Sequence, residues 1–216
     1  MGLPSGNRWA VSNIDATGPY FFQESPFQYQ CSYFSWGNVS PHNPISETQF
    51  DYDFGGSNSS APWYEGQPYG DTAGSMLTGN IPLSMDAARN LLGNPWRMPN
   101  NEAFIELFAN VIFIDANGDE VDPAKADKRV RVNGVMGLYI QSKLNGARLF
   151  FSCSGNGSGL SLNSRESSGL YWSLTLYSAR SARSLYFSGS AIIPQNFNFR
   201  NYGLPVRPIW NPSDLR

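Results

Sequence analysis

The chain has 216 residues, of which 41% are hydrophobic, 14% aromatic and only 15% charged. This length is enough for one large domain or two small ones with a buried core. The net charge of −2 provides no global field that would recruit nucleic acid or an anionic membrane. We therefore expect no nucleic-acid binding. Since no stretch of about eighteen apolar residues is present, we expect no transmembrane span either.

The first residues, MGLPSGNRWAV, lack the apolar stretch of a secretory signal peptide. Gly6 stands where N-myristoylation requires Ser or Thr, so that lipid anchor is not predicted either. We therefore expect the protein to work where it is made, in the cytoplasm, or to leave by a non-standard route, such as inside an assembled particle.

The first third of the chain predicts short strands and long loops. Residues 8–36 contain two strand-like pieces, RWAVSN and YQCSYFSWG. Residues 37–80 are polar and rich in Gly, Pro and Ser, with little periodicity. Their aromatic content argues against disorder, and we expect long ordered loops held on the body by Tyr52, Phe54, Trp63, Tyr64 and Tyr69.

Two helices are predicted next. Ser84 can cap MDAARNLL, which ends just before Gly93. Asn100 can cap NEAFIELFA after a proline-bounded connection. Four residues spaced along one side of the second helix form its predicted apolar stripe: Phe104, Ile105, Leu107 and Phe108.

The rest of the chain predicts strands. VIFI is followed by a charged excursion, and GLYIQSK and ARLFFSC flank Asn145-Gly146, a dipeptide typical of a hairpin turn. LYWSLT, SLYFSG and GLPVRPI follow, separated by loops of small residues. The expected fold class is α+β, with two helices and antiparallel sheets carrying long ordered loops.

Residue types that carry enzymatic chemistry are sparse. Cys31 and Cys153 match no metal or redox spacing, which leaves two buried thiols or one optional disulfide. His42, the single histidine, lies in a Pro-flanked turn and is expected at the surface. No pair of carboxylates stands out for acid–base work. We expect no catalytic residues, no cofactor and no metal.

A group of acidic and amide residues invites comparison with a calcium loop: Asp115, Asn117, Asp119 and Asp122. Its start fits the EF-hand pattern, but Glu120 replaces the glycine of the sixth position and Ala126 replaces the final Glu. A solvated turn between strands is the better interpretation, and calcium binding at 115–122 stays open as the alternative.

Residues 167–213 have an unusual composition. They contain no Asp, Glu, Lys or Met, and their only charges are four arginines. The remaining Ser, Asn, Tyr, Phe, Leu, Ile, Gly and Pro are typical of recognition surfaces, where Tyr and Arg supply contact area and small polar residues adapt. An ordinary β-rich core segment is the alternative, but the apolar residues are spaced too irregularly for one small sheet edge.

Several segments follow one another in the order of a known family: NRWAVSNIDATGPY, YFSWGN, DAARNLLGNPWRMPNNEAFIEL, VNGVMGLYIQSKLNGARLFF, GLYWSLTLYS and NYGLPVRPI. Together they resemble the C-type-lectin-like major paralogous domain, and especially the gut-bacterial and phage variable proteins of diversity-generating retroelements. The resemblance covers nearly the whole chain and is weakest near residues 50–75 and 115–128. It implies one C-type lectin domain over residues 1–216, a fold that also underlies formylglycine-generating enzymes.

In retroelement members, adenine-directed mutagenesis rewrites chosen codons, and the fold displays the resulting side chains as a binding surface. The matching region here is about 171–209. The resemblance assigns a framework role to Tyr171, Trp172, Ser173, Tyr177, Leu185, Phe187, Arg200, Tyr202, Gly203, Val206 and Arg207. It assigns ligand binding to the residues between them: Leu174, Leu176, Arg180, Ser181, Arg183, Tyr186, Ser188, Ala191, Ile193, Phe197, Phe199, Asn201 and, less firmly matched, Leu204.

Two departures from related proteins narrow the expected function. The reactive C-terminal cysteines of formylglycine-generating enzymes have no counterpart after Cys153, and the calcium motifs of sugar-binding lectins are absent. The resemblance therefore implies a non-enzymatic, calcium-independent adhesin of a phage or prophage, a virion or tail component that binds a protein or bacterial cell-surface receptor. A non-variable bacterial surface or glycan-binding domain and a formylglycine-generating type of enzyme are the alternatives. The ligand, and whether the chain forms a homo-oligomer on a particle, stay open.

Overall fold

The structure is a computed structural model that describes residues 1–16, 25–29, 31–41, 80–81, 83–158, 161–178, 181–200 and 202–212. Most of the predicted aromatic loop of residues 37–80, together with His42, lies outside the described residues. Of the helices within them, none is both long enough and apolar enough to cross a membrane.

The described elements are two helices and a series of short to medium strands, with a 3-10 turn (Leu83–Met85) ahead of the first helix. In chain order they are β1 (Arg8–Trp9), α1 (Ala87–Leu92), α2 (Asn101–Ala109), β2 (Val111–Phe113), β3 (Val130–Val132), β4 (Val135–Ser142), β5 (Arg148–Ser152), β6 (Asn156–Ser158), β7 (Ser161–Asn163), β8 (Gly169–Ser178), β9 (Ser181–Phe187), β10 (Ile192–Phe199) and β11 (Ile209–Trp210).

All strand pairs between these elements are antiparallel. One sheet is built around β4, which pairs with β5 along one edge and with β2 and β3 along the other. A second sheet has the order β10-β9-β8, and two-stranded ladders join β1 to β11 and β6 to β7. The expected α+β class, with two helices and antiparallel sheets, is confirmed.

The predicted helices form, but one N-cap was misplaced. Asn100 caps α2, where its side chain accepts the Ala103 N–H at 3.0 Å. The cap of α1 is Asp86, which accepts the backbone N–H groups of Arg89 and Met98. The prediction of Ser84 as the cap is wrong, because the chain forms a 3-10 turn there before α1 begins.

The hairpin predicted at Asn145-Gly146 is confirmed. It joins β4 to β5, and Gly146 has φ +70°, a left-handed conformation that glycine adopts without strain. In α2 the predicted apolar stripe is only partly right. Phe104 and Leu107 are fully buried, whereas Ile105 is exposed.

Two cores lie against opposite faces of the β10-β9-β8 sheet. Tyr171, Leu185 and Phe187 belong to the core that includes α2 and β5. Their strand neighbours Leu170 and Trp172 belong to the second core, which includes Phe34, Trp36 and α1 residues. Since side chains alternate between the two faces of a strand, this part of the sheet is buried on both sides.

Arg207 ties several segments together and is itself fully buried. Its guanidinium donates to the Asn13 side chain at 2.7 Å, to the carbonyls of Ala10 and Val11, and to the Phe150 carbonyl at 2.8 Å. Burial lowers its pKa to about 10 because removal from water disfavours the charged form. The arginine therefore links the start of the chain to β5 through neutral acceptors.

Candidate ligand-binding surface

The second half of the β10-β9-β8 sheet carries exposed aromatic side chains. Tyr177 at the end of β8 is 45% exposed, and on β10 Phe197 and Phe199 are 48% and 39% exposed. Residues of β10 alternate between exposed and half-buried along the whole strand, as expected at the edge of a sheet. The first half of the same sheet is packed on both faces, so the exposed rings extend from a firmly held base.

Two of the exposed rings contact each other across the middle strand. The Tyr177 and Phe197 rings are stacked, with centroids 4.3 Å apart and 16° between their planes. The guanidinium of Arg183, from β9, lies 4.3 Å from the centroid of the same tyrosine ring. The register pairs Arg183 with Phe197 and Ser181 with Phe199, which puts both phenylalanines on the face that carries Arg183. We call Tyr177, Arg183, Phe197 and Phe199 the aromatic patch.

Arg183 is held in place by a hydrogen bond to the neighbouring strand. Its Nη1 donates to the Gln195 carbonyl at 2.8 Å. The register between β9 and β10 shifts between Ile193 and Asn196, so this carbonyl belongs to a β-bulge. Among the residues that the structure describes, no carboxylate forms an ion pair with Arg183.

Two other predicted binding residues, Tyr186 of β9 and Ile193 of β10, lie on the opposite face. Ile193 is 41% exposed and pairs with Tyr186, which is half-buried against the second core. On this face Asn196 and Asn198 donate their side-chain amides to the Ser184 hydroxyl. Tyr186 and Ile193 are therefore accessible but separate from the aromatic patch.

Ser188 and Ala191 lie at the far end of the sheet. They close the β9–β10 hairpin, where the Ser188 N–H donates to the Ala191 carbonyl at 2.8 Å. Gly189 between them packs against Arg129, whose guanidinium nitrogen would be 2.3 Å from an added Cβ. Both predicted residues are half-buried and are not brought together with the aromatic rings.

The expectation that Leu174 and Ser181 are displayed is wrong. Leu174 is 4% exposed because its side chain packs in the second core, and the segments near residues 81 and 99 that join this core hydrogen-bond its backbone: its N–H donates to the Pro99 carbonyl and its C=O accepts from Ile81. Ser181 is 5% exposed, since it lies on the middle strand between Ser178 of β8 and Phe199 of β10.

Four further residues were assigned to ligand binding. Leu204 is fully buried in the second core, where it forms a bridge with Phe34, so it is not displayed. Leu176 is half-buried against the same core. Arg180 and Asn201 lie outside the described residues.

Tyr177 was expected to belong to the framework, and the structure shows the reverse. It is exposed and forms the centre of the aromatic patch. The sequence did carry a signal: Tyr171, a core residue, lies six positions earlier, so a regular two-residue alternation puts Tyr177 on the same face, beyond the part that α2 covers. Gln195 was also missed, because its role depends on a backbone carbonyl.

The acidic excursion forms a closed turn. Asp115 Oδ1 accepts the backbone N–H groups of Asn117, Gly118 and Asp119 at 2.8–3.0 Å. These bonds, the one from Asp119 first, lower the pKa of the Asp115 carboxyl. Within the described part of the chain, no group of three or more His, Cys, Asp or Glu side chains could hold a metal ion.

Both cysteines are buried free thiols. Burial is the main cause that raises the pKa of Cys31 and of Cys153 to about 12. A nucleophilic cysteine needs the opposite shift, because the thiolate is the reactive form. Neither thiol is suited to nucleophilic chemistry at neutral pH.

A polar cleft among the described residues shares no lining residue with the patch. It has a volume of about 390 Å³ and is lined by residues of the N-terminal segment, α2 and Asn211. The Glu106 carboxylate in it already accepts both the N–H and the hydroxyl of Ser5. The aromatic patch is instead an open surface on a sheet.

Comparisons of the chain with family models, curated proteins and solved structures found no match.

Proposed function

We propose that this chain is a non-enzymatic binding protein with a C-type lectin fold, whose 171–209 region displays side chains to a protein or cell-surface receptor. The observation that carries this proposal is the aromatic patch. Three aromatic side chains that are two-fifths to a half exposed, and an arginine beside them, lie on a sheet whose other half is buried on both faces. Exposed aromatic clusters of this kind mark interaction sites.

The framework residues support the lectin-type fold. Most of those assigned to the framework by the resemblance are fully buried, among them Tyr171, Trp172, Leu185, Phe187 and Val206. Trp172 also donates from its indole nitrogen to the Phe34 carbonyl at 2.6 Å. A buried frame with exposed positions between its residues is what a display protein requires.

The patch has the features of an energetic anchor. Tyr, Phe and Arg side chains lose little conformational entropy when they are already stacked, and Tyr and Arg are common among residues that dominate binding energy. Truncating a central anchor costs about 2 kcal/mol or more of binding free energy. Tyr177, Arg183 and Phe197 are the described residues best placed for this role.

A cysteine-dependent activity of the formylglycine-generating type has less support, because both thiols are buried with raised pKa values. We place the protein in a phage or prophage particle, as a virion or tail component that meets its receptor on a bacterial surface. A single chain or a homo-oligomer on the particle serves this function equally.

The decisive experiment reads the DNA around the gene. We expect a reverse transcriptase and a near-copy of codons 171–209 that differs from the gene mainly at adenines. Codons for Tyr177, Arg183, Phe197 and Phe199 should be compared individually, because these residues form the aromatic patch. Absence of both elements, together with an invariant patch in sibling strains, would refute the retroelement assignment.

A further inference from the structure

We infer that the aromatic patch binds an acidic segment of a protein partner, with Arg183 pairing with a carboxylate and the Tyr177–Phe197 stack packing against an adjacent apolar side chain. This inference rests on the proposed function and names the chemistry of the partner. The first observation is the state of Arg183, whose Nη1 is bonded to the Gln195 carbonyl. Among the described residues its Nε and Nη2 have no hydrogen-bond partner, and both can donate to a ligand.

The second observation is the local charge. Although the chain has a net charge of −2, residues 167–213 contain no acidic residue and four arginines. Two of those arginines, Arg200 and Arg207, are fully buried, so the half-buried Arg183 is the accessible charge that the structure describes in this region. A carboxylate from a partner would meet no like charge on β8, β9 or β10, and charge complementarity of this kind selects partners and speeds encounter.

The third observation is the fixed geometry. The contact with Tyr177 and the bond to Gln195 hold Arg183 from two sides. A fork-shaped guanidinium held in this way pairs with a carboxylate through two parallel N–H···O bonds. The stacked rings beside it offer apolar area, so the partner should present a carboxylate next to an aromatic or aliphatic side chain.

Other ligand classes fit less well. Sugars stack on aromatic rings, but their hydroxyl groups donate hydrogen bonds, and the patch contains no carboxylate to accept them. Single-stranded nucleic acid also stacks on aromatic residues, but it requires a groove of cations along the backbone, and the described patch has a single arginine.

The test selects peptides from a displayed random library on the immobilised wild-type protein and, in parallel, on Phe197→Ala. Peptides that bind only the wild type are patch-dependent. We expect these to be enriched in Asp or Glu beside apolar residues, and we expect Arg183→Gln to weaken their binding about tenfold. Replacing the peptide Asp by Asn should weaken binding by the same factor. When both substitutions are made, the dissociation constant should rise by less than the product of the two single fold-changes.

Arg131→Gln is the matched control, because it removes one arginine on β3, in the other sheet, where Arg131 contacts Glu166 and Gly134. It should leave the dissociation constant within about twofold, as expected for a charge outside the contact. The unfolding midpoint of Arg183→Gln must match that of the wild type, and if it does not, Arg183→Lys replaces it as the test variant. Raising the salt concentration should also weaken wild-type binding, because salt screens the ion pair.

The outcomes separate the two proposals. Patch-dependent peptides without acidic enrichment, or with affinity unchanged by Arg183→Gln, overturn this inference and leave the proposed function standing. Binding to a glycan array that is lost in Phe197→Ala but kept in Arg183→Gln would also overturn this inference and leave the proposed function standing. If neither the peptide library nor the glycan array contains a patch-dependent ligand, both proposals fail.

Discussion

Tyr177 and Phe197 stack face to face at 4.3 Å although a third strand, β9, separates the strands that carry them. The two rings close over the middle strand and hold Arg183 beside them. Rings that are already ordered before a ligand arrives lose little freedom on binding, and such pre-organisation strengthens an interaction without adding contacts.

The stack should be measurable in the absence of any ligand. Stacked aromatic pairs contribute about 0.5–1.5 kcal/mol beyond the area they bury. A double-mutant cycle with Tyr177→Ala and Phe197→Ala, read by chemical denaturation, should therefore give a coupling free energy of about 1 kcal/mol. The control cycle pairs Tyr177→Ala with Ile193→Ala, since Ile193 lies on β10 but on the other face. Equal coupling in both cycles would contradict the observed stacking.

Leu174 and Phe197 should respond oppositely to truncation. Leu174→Ala empties a site in the second core and should lower the free energy of unfolding by about 2–5 kcal/mol. Phe197→Ala removes a half-exposed ring and should cost less than about 1.5 kcal/mol. Denaturant titration of both variants decides the matter. A Leu174→Ala protein as stable as the wild type would restore this residue to the displayed set.

Asp86 and Ser84 provide a second matched pair. Asp86→Ala removes the cap of α1 and leaves the buried Met98 N–H without its acceptor, so it should cost about 1–3 kcal/mol of stability. Ser84→Ala should change stability by less than about 0.5 kcal/mol. Thermal or denaturant unfolding of the two proteins compares them directly. The reverse order of effects would show that the helix begins at Ser84.

Asp86 should also make stability depend on pH. Burial raises the pKa of its carboxyl above the usual 3.8, so the folded state holds the proton more tightly than the unfolded state. Its contribution is therefore greatest below pH 3.8 and declines as pH rises through the raised pKa. Measured against Asp86→Asn, which does not titrate, the wild type should lose relative stability as pH increases from acid to neutral. A gain over that range would contradict the raised pKa.

The two cysteine thiols should be unreactive toward a thiol reagent in the folded protein. Both are buried with pKa values raised to about 12, so a thiol reagent at neutral pH should react slowly with the native chain and with two equivalents after denaturation. Cys31→Ser and Cys153→Ser would each halve the denatured signal. If two equivalents appear only after a reductant is added, the cysteines form the disulfide that the sequence left open.

Local signals in the sequence predicted local structure well. Asn145-Gly146 specified a hairpin because glycine tolerates the left-handed conformation observed there, and Asn100 specified a cap through a bond to a residue three positions away. Phe197 and Phe199, two of the exposed rings, were among the residues expected to bind the ligand, whereas Tyr177 was not.

Individual positions depended on tertiary structure that the sequence pattern does not encode. Leu174 is buried because its side chain packs in the second core, which the segments near residues 81 and 99 join, and no periodicity within β8 could reveal those neighbours. The register of β8 against β9 also shifts on either side of Leu176. Tyr177 was misassigned for a different reason: the resemblance put it in the framework, although the two-residue alternation from Tyr171 indicates the exposed end of the same sheet face.

The two environments of the β10-β9-β8 sheet have an evolutionary consequence. Leu185 is fully buried in a core, whereas Arg183, only two residues earlier on β9, is partly exposed. Mutations confined to the exposed half of the sheet can therefore change the binding surface without destabilising the core. A library randomised at Tyr177, Arg183, Phe197 and Phe199 should consist largely of folded proteins. A library randomised at core positions such as Leu185 should consist mostly of chains that do not fold.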